Sequence, residues 1–362
     1  MKILVLCTDY PNQDNRASLH YIHVRNKYYL EKGIDVIVLN FFSNKDYEFE
    51  GIKVISLESY KNRYKDEEYD ILLSHAPNLR NHYLFMKKYE EKFNRIIFFF
   101  HGHEVLKTSK VYPKPYFYIK KDGIIKRIIQ DAYDEIKLTT WRHYLKKLSY
   151  KSEFIFVSEW MKNEFLKWTR IEKNIIEHRS HIIYNGIHSE YEINSYNSSS
   201  KKIYDFITIR AYLDGSKYCV DLLCDIAKRN PKRKFLLVGK GKYFNYNTKP
   251  DNLDWIDGHL RHSEIIDLLN KSKCALMLTR TDAQGLMMCE MASFGIPLIT
   301  SNISVCKEVL NDFNNVIYVD NDYIEQVDSI DINSFSTQIS KKNEMFFKNN
   351  TCQKEVKLFY KD

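Results

Sequence analysis

The sequence predicts an α/β protein made of two Rossmann-like halves. Short runs rich in Val, Ile, Leu and Phe alternate with longer stretches of helical periodicity, which is typical of parallel strands covered by helices. The alternation stops at a polar stretch, residues 189–202, that contains three consecutive serines, and then restarts. A chain of 362 residues is also longer than one hydrophobic core usually organises. We therefore expect two domains joined by a linker.

Apolar runs closed by polar or turn-forming residues define the first domain, residues 1–188. The predicted strands are KILVLC (2–7), DVIVLN (35–40), YDILLSH (69–75), RIIFFF (95–100), FIFVS (154–158) and HIIYNG (181–186). Helices are predicted over 19–33, where Gly33 ends the first, over about 80–92, and from Glu159 onward. Parallel strands with covering helices follow from this order.

The pattern repeats in the second domain, residues 203–332. The predicted strands are YDFITIR (204–210), KFLLVGKG (234–241), LDWIDG (253–258), CALMLTR (274–280) and IPLITS (296–301). Helices are predicted over 217–229, 262–271 and 285–294, the last ended by Gly295. Residues 333–362 are charged, with apolar residues at helical spacing, and predict terminal helices that cross back to the first domain.

Composition and charge exclude several classes of protein. A net charge of +8 favours an anionic partner, but the basic residues are not concentrated as in nucleic-acid binders. Seven scattered cysteines without metal-ligand spacing indicate buried thiols in a reducing cytosol. The first apolar run is too short for a signal peptide, and no run reaches the roughly 18 residues that span a bilayer. We expect a cytoplasmic protein, with any membrane contact peripheral and on the inner face of the cell membrane.

The stretch TRTDAQGLMMCEMASFGIPLITS (279–301) carries the clearest chemistry. Asp282 ends a strand-to-helix turn and Glu290 lies eight positions on, at the sheet edge where ligands bind in doubly wound folds. The N–H groups of Gly285, Leu286 and Met287 open the helix, and a helix start is a ready anion site for a diphosphate. On these residues alone, a capped surface helix with Glu290 in solvent is the alternative interpretation.

In order and spacing, this stretch and its neighbours resemble the retaining glycosyltransferases of family four, which have the GT-B fold. The carboxyl-terminal motifs are IRAYLDGSKYCVDLL (209–223), FLLVGKG (235–241), DGHLRHSEIIDLL (257–269) and TRTD followed by EMASFGIPLI; upstream they are FFHGHE (99–104), FVSEWMKNEF (156–165) and IIYNGI (182–187). The resemblance implies two Rossmann-like domains facing a central cleft. It also implies transfer of a hexosyl or N-acetylhexosaminyl group from a nucleoside-diphosphate sugar, with retention of configuration.

The resemblance assigns roles to the residues of the donor site. Glu290 matches the glutamate that holds the nucleotide ribose, and Asp282 matches, in charge only, the one beside the donor sugar. Gln284 would add an amide beside that sugar, and Gly239, at a strand end, is assigned to the nucleotide site.

Basic and imidazole groups complete the implied site. Arg210 and Lys217 match the cations that clamp the donor diphosphate, where negative charge develops on the leaving group. His101 follows the strand RIIFFF and matches a histidine near the donor sugar, and we favour it over His103.

Two departures from the family leave alternatives open. The stretch TDYPNQDNRASLHYIHVR has no glycine where the family often has a glycine-rich loop, and Asp282 and Gln284 stand in place of a glutamate and a phenylalanine. Altered donor preference is one consequence. A catalytically inactive glycan-binding or scaffold protein, or a nucleotide-sugar epimerase of similar fold, is the alternative.

A catalytic metal and a cofactor are not expected. Asp320-Asn321-Asp322 has the spacing of the metal-binding Asp-x-Asp of another glycosyltransferase fold, but it follows the strand NVIYV in a turn-forming context. The sequence therefore predicts a turn at this position.

The basic excess is local to residues 107–151, which hold twelve Lys or Arg and four acidic residues among aromatic and aliphatic side chains. Lys120, Lys121, Lys126 and Arg127 are candidates for contact with a membrane or acceptor. Such a mixture favours an anionic membrane surface, with a solvated helix face as the alternative and nucleic acid disfavoured. We expect the acceptor, a glycan or a polyprenyl-linked oligosaccharide of cell-surface polysaccharide synthesis, to enter over the first domain.

Overall fold

Two compact units make up the chain in the computed structural model, which describes residues 1–15, 18–119, 124–332 and 342–361. The first unit comprises residues 1–108, 130–186 and 348–362, and the second comprises 109–129 and 187–347. The second unit therefore includes an early segment of the chain, 109–129. This division differs from the predicted one, in which the first domain ends at residue 188 and the second begins at residue 203.

The first unit is built on an eight-stranded sheet. Most of its strands are buried apolar runs, which is why they pair in parallel between covering helices. Among the described strands of this sheet, only β3 and β4 pair antiparallel. The strands are β1 (Lys2–Cys7), β2 (Asp35–Asn40), β3 (Tyr47–Phe49), β4 (Ile52–Ile55), β5 (Ile71–His75), β6 (Ile96–Phe100), β7 (Ser152–Phe156) and β8 (Ser180–Ile182). Their spatial order is β3-β4-β2-β1-β5-β6-β7-β8.

The second unit is built on a six-stranded parallel sheet. Its strands are β9 (Tyr204–Tyr212), β10 (Phe235–Lys240), β11 (Leu253–Ile256), β12 (Ser272–Met277), β13 (Leu298–Ser301) and β14 (Val316–Val319). The order β11-β10-β9-β12-β13-β14 reverses direction between β9 and β12. Such a reversal opens a crevice at the carboxyl ends of the strands.

Helices connect the strands and cover both sheets. Along the chain they are α1 (His20–Glu31), α2 (Leu57–Ser59), α3 (Leu84–Tyr89), α4 (Thr108–Val111), α5 (Ile124–Leu148), α6 (Glu159–Thr169), α7 (Lys173–Ile176), α8 (Ser189–Ile193), α9 (Val220–Arg229), α10 (Tyr243–Tyr246), α11 (His262–Asn270), α12 (Leu286–Phe294), α13 (Ser304–Leu310) and α14 (Cys352–Phe359). Of these, α5 starts in the second unit and continues into the first. No helix in the described ranges combines the length and the apolar character needed to cross a bilayer.

The predicted α/β class with two parallel sheets is confirmed. The stretch predicted as a linker contains α8, whose Tyr191 is fully buried. Of the predicted terminal helices, residues 333–341 lie outside the described residues, and α14 belongs to the first unit. There α14 is fixed to α1 by a buried ion pair, in which Arg25 Nε donates to Glu355 Oε1 at 2.9 Å.

The basic segment 107–151 was expected to lie on the first domain, and here the prediction is wrong for residues 109–129, which belong to the second unit. Lys126 lies exposed on the first turn of α5. Lys120 and Lys121 lie outside the described residues, and so does the side chain of Arg127.

Candidate functional site

Arg210 stands at the carboxyl edge of the second sheet, near the end of β9. Its Nη2 donates to the carbonyl of Leu278, which follows the neighbouring strand β12. The side chain is only 9% exposed, and its Nε is buried without a hydrogen-bond partner among the described residues. Burial lowers the pKa of Arg210, although Cys219 and Asp282 oppose that effect. A buried cation with an unused N–H is suited to binding an anion.

Lys217 lies in the 3₁₀ turn Ser216–Tyr218 that follows β9. The ring of Tyr218 is shared by two cations: its centroid lies 4.8 Å from Lys217 Nζ and 5.3 Å from the Arg210 guanidinium. A second ring, that of Tyr112, lies 5.8 Å from Lys217 Nζ. Because an aromatic face attracts cations, Tyr218 holds both basic groups at one edge of the sheet. Sequence reasoning missed Tyr218.

An arginine that follows β12 fixes the turn that carries Lys217. The guanidinium of Arg280 donates to both carboxylate oxygens of Asp221, at 3.0 and 2.7 Å, and to the carbonyl of Ser216 at 2.6 Å. The backbone N–H of Arg280 donates to the carbonyl of Lys217 at 2.9 Å. These four hydrogen bonds join the turn and the first residues of α9 to the end of β12. Neither Arg280 nor Asp221 was a predicted site residue.

The early segment 109–119 packs on the same turn. The hydroxyl of Tyr116 donates to Asp221 at 3.0 Å, and that of Tyr118 donates to Asp214 at 2.7 Å. The Tyr118 ring also stacks on Tyr246, with centroids 4.6 Å apart and planes 5° apart. These contacts explain why a segment from the first half of the chain belongs to the second unit.

The start of α12 faces Asp282. Gly285, with φ 73°, is the residue before the helix, and a Cβ placed there would lie 3.7 Å from Asp282 Oδ2. Since the first N–H groups of a helix have no acceptor within it, those of Leu286 and Met287 are available at this edge. The carboxyl edge of the second sheet thus carries a helix start, two cations and one short carboxylate.

Glu290 lies inside α12 and not in solvent, which contradicts the surface-helix interpretation. Its side chain is 4% exposed, and its Oε1 accepts the backbone N–H of His188 at 3.2 Å. Burial raises the pKa of Glu290 to about 8. The ring of His188 stacks on that of His262, with centroids 3.8 Å apart. This carboxyl group is therefore a buried acceptor beside a stacked pair of imidazoles.

Gln284 and Gly239, predicted as donor contacts, are both closely packed. Gln284 is 2% exposed, and its Nε2 lies 3.9 Å from the sulfur of Cys289. A Cβ at Gly239, where φ is 156°, would lie 2.4 Å from the carbonyl oxygen of Arg210. Glycine is required there because β10 passes so close to the end of β9.

His101 lies in the first unit, where β6 ends, and is half-buried. Its Nε2 lies 3.2 Å from Nδ1 of His75, and burial holds its pKa well below the ordinary histidine value. The carboxylate of Glu104 accepts the backbone N–H groups of His101 and of Gly102. His101 is thus a neutral imidazole on a fixed backbone, whereas His103 is exposed.

The Asp320-Asn321-Asp322 motif forms a turn. Asp320 Oδ1 accepts the backbone N–H of Asp322 at 3.1 Å, while Asn321 accepts from Ser301 at 2.7 Å and donates to the Thr279 carbonyl at 3.1 Å. Within the described ranges, no three His, Cys, Asp or Glu side chains are grouped as metal ligands.

Residues 198–349 match the model of the family described as glycosyl transferases group 1. The second unit carries the sequence pattern of a group 1 glycosyltransferase. No curated protein matches the chain.

Solved structures show the GT-B fold. Sucrose-phosphate synthase from Thermosynechococcus elongatus has a TM-score of 0.70 at 11% identity, over 99% of this chain and 98% of that one. TarM has a TM-score of 0.65 at 11% identity, over 99% of both chains. WaaG, a glycosyltransferase involved in lipopolysaccharide biosynthesis, has a TM-score of 0.63 at 12% identity, over 99% and 100%. The family match supports a glycosyltransferase over residues 198–349, and the solved structures, at 11–12% identity, show the fold alone.

Proposed function

We propose that this protein is a retaining glycosyltransferase of family four that transfers a hexosyl or N-acetylhexosaminyl group from a nucleoside-diphosphate donor. The observation that carries the proposal is the pairing of Arg210 and Lys217 on the ring of Tyr218, at the sheet edge where α12 begins. Retention rests on the resemblance to family four. The acceptor is a glycan or a lipid-linked oligosaccharide of cell-surface polysaccharide synthesis, presented at a membrane on which the enzyme is peripheral.

The chemistry follows from the charge of the leaving group. A departing nucleoside diphosphate gains negative charge as the sugar bond breaks, and fixed cations that are already in place stabilise it without reorganisation. Arg210 offers its unused Nε–H, Lys217 its ammonium, and Leu286 and Met287 the N–H groups of a helix start. We propose that these groups, and not a divalent cation, neutralise the diphosphate.

The two carboxyl groups have unequal roles in this proposal. Glu290 accepts hydrogen bonds from the ribose hydroxyls, so Glu290→Gln should raise the KM for the donor. Asp282, at the helix start, acts on the sugar, so Asp282→Asn should lower turnover. In the first unit, His101 offers its neutral imidazole to a sugar hydroxyl.

A screen of nucleotide sugars tests the proposal. The full-length protein is incubated with each donor, with and without glycan acceptors and in excess EDTA, and the products are followed by NMR. We expect one donor to give a glycoside of unchanged anomeric configuration. Lys217→Ala should reduce the rate by about two orders of magnitude, whereas Lys228→Ala, which removes an exposed lysine on α9, should not.

Each other outcome contradicts the proposal in a recognisable way. No turnover of any donor indicates a binding or scaffold protein, and interconversion of donors without an acceptor indicates an epimerase. An inverted linkage refutes retention. Activity that is lost in EDTA and restored by manganese refutes metal independence.

A further inference from the structure

The first half of α5 exposes its apolar side chains. Ile125, Ile128, Ile129 and Ile136 are 74%, 62%, 61% and 62% exposed. Their spacing of three, four and eleven positions from Ile125 places them on one face of a helix that turns about 100° per residue. We call these four residues the isoleucine stripe; at 1.5 Å per residue it is about 16 Å long. A helix of a water-soluble protein normally buries such a face.

The opposite face of α5 is polar and buried. Lys137 Nζ donates at 2.9 Å to Asp134 Oδ1 and to the carbonyls of His103 and Leu106. Asp134 Oδ2 accepts the backbone N–H of Thr108 at 2.7 Å. Asp134 and Lys137 are buried, so turning the stripe inward would break an ion pair and leave two charges without compensation. The outward orientation of the stripe is therefore built into the fold.

Charge beside the stripe favours an anionic surface. Glu135, next to Ile136, is paired with two cations, Lys107 at 3.5 Å and Arg170 at 3.8 Å. Lys126, next to Ile125, is exposed. The sequence from 107 to 151 carries twelve basic and four acidic residues. Aliphatic side chains bordered by cations match the boundary between headgroups and acyl chains in a bilayer that contains anionic lipid.

We propose that the isoleucine stripe inserts into an anionic bilayer, with α5 lying in the plane of the membrane. The purpose of this binding rests on the proposed function: it would bring the enzyme to a lipid-linked acceptor. The sequence alone predicted Lys120, Lys121, Lys126 and Arg127 as the residues that contact the membrane. In this proposal the four isoleucines make the principal contact. Charge then attracts the protein to the surface, and the stripe retains it there.

Sedimentation with lipid vesicles tests the proposal. Full-length protein is mixed with vesicles of phosphatidylcholine, with or without phosphatidylglycerol, and the bound fraction is measured. Ile128→Ser combined with Ile129→Ser should lower the partition coefficient about tenfold or more. Ile193→Ser is the matched control, because Ile193 on α8 is 76% exposed and lies outside the stripe. In a separate variant, Ile128→Trp, brominated lipid should quench the added fluorescence.

Three results would overturn the proposal. The first is that the wild-type protein fails to bind phosphatidylglycerol vesicles, and the second is that the double serine variant binds them as well as wild type does. The third is that brominated lipid leaves the added fluorescence of Ile128→Trp unchanged. A wild-type dimer that the double variant converts to a monomer would instead assign the stripe to a second copy of the chain. Donor turnover without vesicles is measured separately. Absence of that turnover in wild type refutes the proposed function and leaves the membrane proposal standing.

Discussion

The guanidinium of Arg280 and the carboxylate of Asp221 face each other in parallel, with Nη1 3.0 Å from Oδ1 and Nη2 2.7 Å from Oδ2. Two parallel charged hydrogen bonds fix orientation as well as distance. Since Nη1 also donates to Ser216, this pair sets the position of the turn in which Lys217 lies. The proposed diphosphate site thus depends on a pair that acts through the position of Lys217.

Arg280→Lys keeps the charge but loses the parallel geometry, so the turn should loosen. We expect the KM for the donor to rise about five- to tenfold, equivalent to roughly 1 kcal/mol, with a smaller change in kcat. Arg229→Lys is the control, because Arg229 also donates two hydrogen bonds to an aspartate, Asp328, but at a different place in the unit. Equal donor KM values in both variants would show that the turn is held by other contacts.

Tyr218 is expected to act through the two cations that share its ring. Tyr218→Leu should weaken binding of a nucleoside diphosphate about three- to tenfold, since the cation–π contact with the half-buried Lys217 contributes about 0.5–1 kcal/mol. Binding of the nucleoside monophosphate should change less, and Tyr218→Phe should restore both affinities. Isothermal titration of the two nucleotides measures the difference. A uniform loss for both nucleotides, not rescued by phenylalanine, would indicate a structural role only.

The fold was predictable where apolar runs are continuous. Strands such as β1 and β9 are buried on both faces, so their burial is visible as consecutive apolar residues. The hairpin of β3 and β4 was missed because its strands have three and four residues. Its turn, at Glu50 and Gly51, has positive φ at both residues, and Glu50 is an unusual residue for that conformation.

The site was predictable where motif spacing fixes a position. Arg210, Lys217 and Asp282 are close to strand ends in the sequence, and parallel strands bring those ends to one edge. The contacts that orient them were not predictable, because they join distant parts of the chain. Tyr116 and Asp221, for example, are separated by 105 positions. The excess of basic residues in 107–151 was visible in the sequence. The face of α5 that points outward could not be predicted from it.

Glu290 should make the stability of the second unit depend on pH. Its pKa rises from an ordinary 4.5 to about 8 in the folded protein, so the folded state holds a proton that the unfolded state releases. The resulting stabilisation is complete below about pH 4.5 and is lost as pH rises to about 8. The glutamine side chain of Glu290→Gln cannot ionise. The free energy of unfolding of this variant minus that of wild type should therefore increase as the pH rises from about 5 to 8, by on the order of a few kcal/mol.

Denaturant unfolding at several pH values measures this change, with hydrogen exchange of the amides in β9 and β12 as the probe of the second unit. Glu325→Gln is the control, because Glu325 is exposed. Parallel pH profiles for wild type and Glu290→Gln would mean that the buried carboxyl group titrates normally.

A buried ion pair joins the last helix, α14, to α1 within the first unit. Glu355 on α14 accepts from Arg25 Nε and from the hydroxyl of Tyr29, and Arg25 Nη1 donates to Asn185 at 2.8 Å. Both side chains of the ion pair are fully buried. Removing one partner from such a pair leaves a charge in a medium that solvates it poorly.

Glu355→Gln should therefore lower the free energy of unfolding of the first unit by about 3 kcal/mol or more, because Arg25 stays buried and loses its counter-charge. Replacing both partners, Arg25→Met with Glu355→Leu, should recover most of that loss, since no charge is then left without compensation. Hydrogen exchange in β1 and α1 reports on this unit alone. Glu172→Gln breaks the exposed pair with Lys146 and should change little. A double variant less stable than Glu355→Gln would show that the pair itself, and not the avoidance of an unpaired charge, stabilises α14.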